Sequence, residues 1–362
     1  MDFLTLVFQK FLIEFLIKFS SLQPSFLNIE KTTTSEYNRN ILIFNVTSGQ
    51  FKYVLEGGHT ASVNTFAKLE NNLLASGSKD ATICIWNLET GQLARILAVS
   101  NEVLSLLSLG NNLLASGSKD GYVFIWNINN GEILYTLPNE SSANKLVKVN
   151  QSLLAVGLTG KVMIWNFNTG ELVSSLINGG GQGGTISMLN IDYNMLASED
   201  LDGTVSIWNL NTDKIHSNLK VSRKLLIPTT LMTANSQLIA VGNSDNNNTN
   251  TILIYDMSTG SVKYNLTNGF ATGLKMLKNN MLASTSVSDD GTFSTLNVWN
   301  LTSGKIEWFS SISATLVEMS LFEKYNNLVI GSYTGSVYIY NLNNQTKLAI
   351  FLYLMTTRSF LA

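Results

Sequence analysis

The chain repeats itself at a nearly constant interval. Eight times a β-rich run closes on an aromatic residue followed by Asn or Asp: Phe44-Asn45, Trp86-Asn87, Trp126-Asn127, Trp165-Asn166, Trp208-Asn209, Tyr255-Asp256, Trp299-Asn300 and Tyr340-Asn341. The intervals are 42, 40, 39, 43, 47, 44 and 41 residues. A unit of that length cannot bury an apolar face alone, so copies must stack on one another. The marks run through almost all of the 362 residues, so the repeat decides the fold.

One unit shows the grammar. From His59 to Leu97 the text alternates short strand-like runs with turns. Val63 to Leu69 reads as strand a, Leu73 to Gly77 as b, Thr82 to Trp86 as c and Gln92 to Leu97 as d. Asn71-Asn72, Lys79-Asp80 and Thr90-Gly91 supply the turns between them. LLASGSKDGYVFIWNINNGEILYTL repeats b, c and d from Leu113 to Leu137, and later units follow from Leu153 to Leu176 and from Met195 to Leu219. Strands b and c are apolar nearly throughout, which suits a sheet covered on both faces. Four strands per unit of about 40 residues predict an all-β propeller of four-stranded antiparallel blades.

The residues then point to a family. Gly58-His59, the SGSKD turn from Ser76 to Asp80 and the aromatic-Asn pairs resemble the WD40-repeat family over roughly residues 41 to 345. Two departures stand out. Seven of the eight pairs end in Asn rather than Asp, and only one repeat carries the His of the Gly-His pair. The resemblance implies that His59 joins Ser76, Asp80 and Trp86 in a structural hydrogen-bond network. It also implies that the residues before the turn Asp meet partners, which here are Lys79, Lys119 and Leu201.

Blade number turns on the N-terminus. Seven sets of strands a to c end at Trp86 and the six later marks. Ile41 to Asn45 and Phe51 to Leu55 form an extra c–d pair, which as a lone hairpin would leave a sticky edge. Eight blades are therefore expected, with strands a and b of the first at Phe15 to Leu22 and Phe26 to Ile29. The alternative is seven blades plus an N-terminal extension. The expected organisation is an extension over 1–14, the propeller over 15–355 and a tail over 356–362. Met1 to Phe19 is apolar, but Asp2, Lys10, Glu14 and Lys18 break it too often for a membrane span. An amphipathic helix capping the ring is the competing reading of this segment.

Composition narrows the function. Net charge is −2, charged residues are 13%, and no long basic run exists, so nucleic acid and anionic membrane are not expected partners. Cys84 is the one cysteine, which rules out an intrachain disulfide and suits a reducing compartment. A cytoplasmic location is expected, with the nucleus as the alternative. No metal or cofactor is expected, because two His and one Cys in distant repeats offer no ligand cluster. Cys84 lacks a base and reads as a buried apolar residue, with His216 in a strand d of another repeat. Asn178 to Gly184, NGGGQGG, lacks the Lys-Ser/Thr of a phosphate loop and reads as a d-to-a connection. Asp80, Asp120, Asp202, Asp245 and Asp290 recur in b-to-c turns, where Asp satisfies turn amides; Thr159-Gly160 and Thr334-Gly335 replace them in two repeats. The b-to-c connections Gly242 to Thr251 and Ser284 to Thr295 are enlarged.

The expected function is a non-enzymatic protein-interaction scaffold. A substrate-receptor or adaptor subunit of a larger complex is one alternative. A propeller hydrolase is another, and it would need clustered acid, base or metal near the channel.

Overall fold

Runs such as Ile83-Cys84-Ile85-Trp86 favour strands because β-branched and aromatic side chains fit a pleated, covered surface. The computed structural model of the chain describes residues 25–28, 40–45, 51–177, 184–192, 194–200, 204–220, 232–235, 238–244, 250–256, 259, 261–267, 270–287, 293–314, 316–322, 326–332 and 337–351. They form eight antiparallel sheets in chain order, seven of four strands and a first of three. In the second blade strand a is Val63–Lys68, b Leu73–Ser78, c Thr82–Asn87 and d Gln92–Ala98. The third repeats this with Val103–Gly110, Leu113–Ser118, Tyr122–Asn127 and Glu132–Pro138. This is the all-β propeller architecture.

The first sheet gives the extra c–d pair its home. Ile41–Asn45 pairs with Phe51–Leu55 on one side and with Ser25–Asn28 on the other. The last of these is the strand b expected at Phe26 to Ile29, set one residue earlier. Phe15 to Leu22, the expected strand a, lies outside the described residues, as do 1–14 and 356–362.

The core sits at the seams between blades rather than inside any one of them. Ala75, Ile83, Ile85 and Leu97 of the second blade share a cluster with Val103, Leu114 and Trp126 of the third. Val123, Ile125 and Leu137 of the third share another with Leu154, Val156 and Trp165 of the fourth. Each fully buried Leu, Ile or Val adds about 1.5–3 kcal/mol, and each needs the neighbouring blade to be there. The a strands of the second to eighth blades touch one another in sequence order.

Asparagine builds the end of the molecule where the a–b and c–d turns lie. Asn71-Asn72, Asn111-Asn112 and Asn279-Asn280 form a–b turns with both residues at positive φ, between 53° and 58°. Asn tolerates that left-handed conformation better than other side chains. The Asn of each aromatic-Asn pair has a different task. Asn87 Oδ1 accepts the amides of Glu89 (2.8 Å) and Thr90 (3.1 Å), so it folds the c–d turn. Asn127, Asn166, Asn209, Asn300 and Asn341 accept amides in the same way.

Every sheet also carries a bulge at one position. The register between c and d slips beside the aromatic mark in all eight, for example between Ile85 and Trp86 and between Ile125 and Trp126. One strand-d residue is left over each time: Lys52, Ala94, Leu134, Val173, His216, Lys263, Glu307 and Leu348. Bulges twist and interrupt an edge strand, which discourages pairing with other chains.

The enlarged b-to-c connections are shorter loops than expected. Leu238–Ser244 pairs with Asn250–Asp256 up to Ser244↔Asn250, and Met281–Val287 pairs with Ser294–Asn300 up to Val287↔Ser294. Much of the insertion therefore lengthens the hairpin as strand. Backbone groups paired across the hairpin need no other partner, so extending the ladder is cheaper than looping out.

Successive blades are latched at their outer strands. Tyr135 of strand d donates its hydroxyl to Asn168 O (2.7 Å) in the c–d turn of the next blade. Its ring lies where a Cβ on Gly170 would be, 2.5 Å from the nearest ring carbon, and Gly170 holds φ +76°. Tyr264 makes the same reach to Thr302 O (2.9 Å), and Tyr53 to Leu88 O. Arg95 does it with a guanidinium, to Asn129 O (3.2 Å) and Asn130 O (2.7 Å). The Tyr53 latch ties the first sheet to the second as Tyr135 ties the third blade to the fourth.

Candidate functional site

Among the described residues, the second blade holds a closely connected group of polar side chains. His59 lies in the loop that enters strand a, Ser76 on strand b, Asp80 in the b–c turn and Trp86 on strand c. The structure brings all four together. Trp86 Nε1 donates to Ser76 Oγ (2.8 Å), and Ser76 Oγ lies 2.7 Å from His59 Nε2. His59 Nδ1 lies 3.2 Å from Asp80 Oδ2 and 3.0 Å from Thr82 Oγ1. Asp80 Oδ1 accepts the Thr82 amide (3.0 Å) and hydroxyl (2.5 Å), and Oδ2 accepts the Thr60 amide (2.7 Å).

Proton bookkeeping assigns the directions. A carboxylate only accepts, so His59 Nδ1 carries the proton toward Asp80 and Thr82. Its Nε2 then accepts from Ser76, whose oxygen accepts from the indole. The relay runs Trp86 to Ser76 to His59 to Asp80, each of the first three donating once along it and Asp80 only accepting. Burial pushes the His59 pKa down, and the opposing pull of Asp80 does not restore it. The ring is therefore neutral near pH 7, and the contact with Asp80 is a hydrogen bond rather than an ion pair. Burial pushes the Asp80 carboxyl up, but hydrogen bonds from Thr82 and Thr60 and the His59 ring outweigh it, and the pKa falls.

Ser76, His59 and Asp80 share the order of a nucleophile, base and orienting acid. Their placement removes that chemistry. Ser76 is fully buried and His59 is 3% exposed, and the indole occupies the serine oxygen where a substrate would have to approach. Gly58 seals the same spot, because a Cβ there would stand 2.6 Å from the Trp86 ring. Cys84 Sγ is 3.6 Å from His59 Nδ1, yet burial raises its pKa to about 12, so the thiol is not a nucleophile.

Other blades keep a shorter version of the relay. Trp126 donates to Ser116 (2.8 Å), Trp208 to Ser198 (2.9 Å) and Trp299 to Ser284 (2.8 Å). In the fourth blade Val156 stands where the serine would be, and Trp165 donates to Asn139 Oδ1 instead (3.1 Å). Asp120 accepts from Ser118 Oγ (2.6 Å) and the Tyr122 amide (3.4 Å) in its own turn.

The expected binding rim is divided. Lys79 and Lys119 are both exposed, in the b–c turns of adjacent blades. Lys119 Nζ is 3.2 Å from Glu102 Oε2, and Asn64 Nδ2 donates to Glu102 Oε1 (3.0 Å). Much of the Lys119 charge is thus balanced locally. Leu201, Asp202, Asp245, Asp290, Thr334-Gly335 and most of Asn178 to Gly184 lie outside the described residues. His216 is exposed at the bulge of the fifth blade.

Two residues escaped the sequence reading. Glu199 and Asp200 are fully buried on strand b of the fifth blade, and Thr185 Oγ1 donates to Asp200 Oδ1 (3.3 Å). The signal was available: MLASED stands where the second and third blades read LLASGS. Among the described residues no group of three His, Cys, Asp or Glu could hold a metal ion, and no helix is long and apolar enough to cross a membrane.

With the fold and the relay in view, the comparisons with known proteins agree on class. The family model of the WD domain, G-beta repeat, matches residues 49–87 and 92–127, segments that end on Asn87 and Asn127. The chain carries WD40 repeats. Among solved structures it is similar to the computationally designed Ika8 protein, with 21% identity and a TM-score of 0.70 over 89% of this chain and 98% of that one. It is also similar to Sqt1 of Saccharomyces cerevisiae, with 16% identity and a TM-score of 0.65 over 81% of this chain and 86% of that one. Likeness at these identities speaks to fold alone. No curated protein matches the sequence.

Proposed function

We propose that the chain is a non-enzymatic scaffold that binds other proteins through the face bearing its d–a loops and b–c turns. The observation that carries this reading is the sealed relay. The serine, histidine and aspartate that could act on a substrate are held inside the blade, so the exposed turns around them offer contacts rather than chemistry. WD40 repeats in the chain support the same reading. Service as an adaptor or substrate-receptor subunit is its finer form, and a cytoplasmic setting fits the single buried thiol.

Lys79 and Lys119 are the described residues proposed to meet a partner, and Leu201, outside the described residues, is proposed with them from its position in the repeat. The two lysines favour an acidic segment. The test is the double change Lys79→Glu with Lys119→Glu, measured on a partner captured from native lysate. Slower association and lower affinity are expected, because rim charges act mainly on encounter. Unchanged affinity with an intact circular dichroism spectrum would move the site off this rim.

A further inference from the structure

His59 fastens one short stretch of chain to the second blade. Leu55 ends the outer strand of the first sheet fully buried, and Ser78 Oγ holds the chain again at Ala61 O (3.1 Å) and Ser62 O (2.9 Å). Between those points Glu56, Gly57 and Thr60 are exposed, and His59 is buried. The His59 ring is the side-chain anchor of this stretch, and the Thr60 amide adds a bond to Asp80 Oδ2 (2.7 Å). Gly57 holds φ +76°, and among the described residues nothing lies within 4 Å of the place a Cβ would take, so the backbone has room to pivot there. The Cys84 thiol lies directly beneath. Its Sγ is 3.6 Å from His59 Nδ1 and 2.9 Å from where a Cβ on Gly58 would stand.

The relay suits a neutral ring. A proton on Nε2 aims a donor at Ser76 Oγ, and the serine hydrogen must then turn to Cys84 O at 3.5 Å, too far for a good bond. The new charge is also buried. Among the described residues Asp80 and the Cys84 thiol are the titratable groups in contact with the ring. Glu56 on the same loop and Lys79 beside Asp80 are both exposed. Released into water the ring titrates at its ordinary 6.5, and held in place it titrates lower, because burial outweighs Asp80. The proton therefore binds the released stretch first, and acid favours release. The blade can spare the ring. The third, fifth and seventh blades stand on Trp126–Ser116, Trp208–Ser198 and Trp299–Ser284 with no histidine in the relay.

We infer that residues 56–60 form a proton-operated cover over the second blade, which protonation of His59 releases while the blade stays folded. Release takes the His59 and Thr60 donors from Asp80, loosens the turn that carries Lys79, and bares the Trp86 edge and the Cys84 thiol. The cover lies on the face proposed above to bind partners. Resting on that reading, acid remodels the binding surface, but release itself needs no partner.

Cys84, the one cysteine, reports the opening. The full chain is labelled with a pyridyl disulfide, which stays reactive toward thiols in acid, from about pH 7.5 to about pH 5. Each rate is divided by that of the urea-unfolded chain at the same pH. The ratio should rise as pH falls below about 6.5, by up to about tenfold per pH unit, and should not change across low urea, because release exposes little surface. His59→Gln stays neutral throughout and should give a ratio independent of pH. Hydrogen exchange on the wild-type chain reads the same event without a variant. The Thr60 amide should lose protection over that range while the amides of Leu73–Ser78 keep theirs. If His59→Gln does not fold, the exchange measurement decides. A flat wild-type ratio overturns the inference. So does a rise that persists in His59→Gln, a ratio that climbs with urea as global unfolding would make it, or Thr60 and Leu73–Ser78 losing protection together. None of these results bears on the Lys79 and Lys119 test, and unchanged affinity there leaves the cover standing.

Discussion

Trp86 and His59 belong to one relay but hold the blade in different ways. The indole fills the seam of the blade and is 1% exposed, whereas the imidazole mainly joins polar groups. Trp86→Ala should cost about 3–5 kcal/mol by truncating a buried aromatic. His59→Ala should cost about 1–3 kcal/mol, because it strands the buried Ser76 hydroxyl. Thermal melting of both variants checks the order. Acid should act through the same residues. The folded chain keeps His59 below its ordinary 6.5, so the unfolded chain takes the proton first as pH falls through that value. Asp80 is kept below its ordinary 3.8, so its contribution is present above that pH and lost beneath it. Melting temperature should therefore drop as pH falls below about 6.5, and His59→Gln should flatten that fall while leaving the loss below about pH 4. The relay members were readable in the repeat by family resemblance. The tautomer was not, because it depends on what each ring nitrogen faces. Glu199 and Asp200 were missed because a carboxylate in a strand reads as exposed until the neighbouring blade covers it.

Strands were the most legible elements. In the second blade each runs within a residue of the text's own boundaries, since β-branched runs and Asn or Gly turns punctuate the chain plainly. The departure from Asp to Asn in the aromatic pairs now has a cause. The turn needs an acceptor, and an amide oxygen supplies one without charge. Asn87→Asp should thus be nearly neutral, while Asn87→Ala should cost about 1 kcal/mol for the lost turn bonds, as denaturant melts would show. The bulges were invisible in the sequence. An extra residue in strand d carries no special side chain, as Ala94, Leu134 and His216 in the same role make clear. The enlarged b–c connections misread as loops for a related reason: their Ser, Thr and Asn suit turns, but pairing across an existing hairpin won.

At the scale of the whole molecule the latches set which seams are strong. The latch position is filled by Tyr53, Arg95, Tyr135 and Tyr264, and by Trp308, whose ring meets that of Tyr340 at 5.6 Å. In the fourth and fifth blades it falls to Ser174 and Ser217. Ser217 Oγ is buried with no hydrogen-bond partner among the described residues. The fifth blade is therefore bounded by two seams without a latch. Native-state hydrogen exchange should show its strands, Thr185–Asp192 to Lys214–Lys220, opening before those of the third blade. Ser174→Tyr should narrow the difference. By itself the sequence determined the repeat, the four strands of each unit and the all-β class, because these follow from local periodicity and turn chemistry. Only the tertiary structure decided which side chains reach the next blade, which acids are covered and which apolar residues stay on the rim. Those depend on surfaces that meet about 40 residues apart in sequence, where no local pattern records the distance.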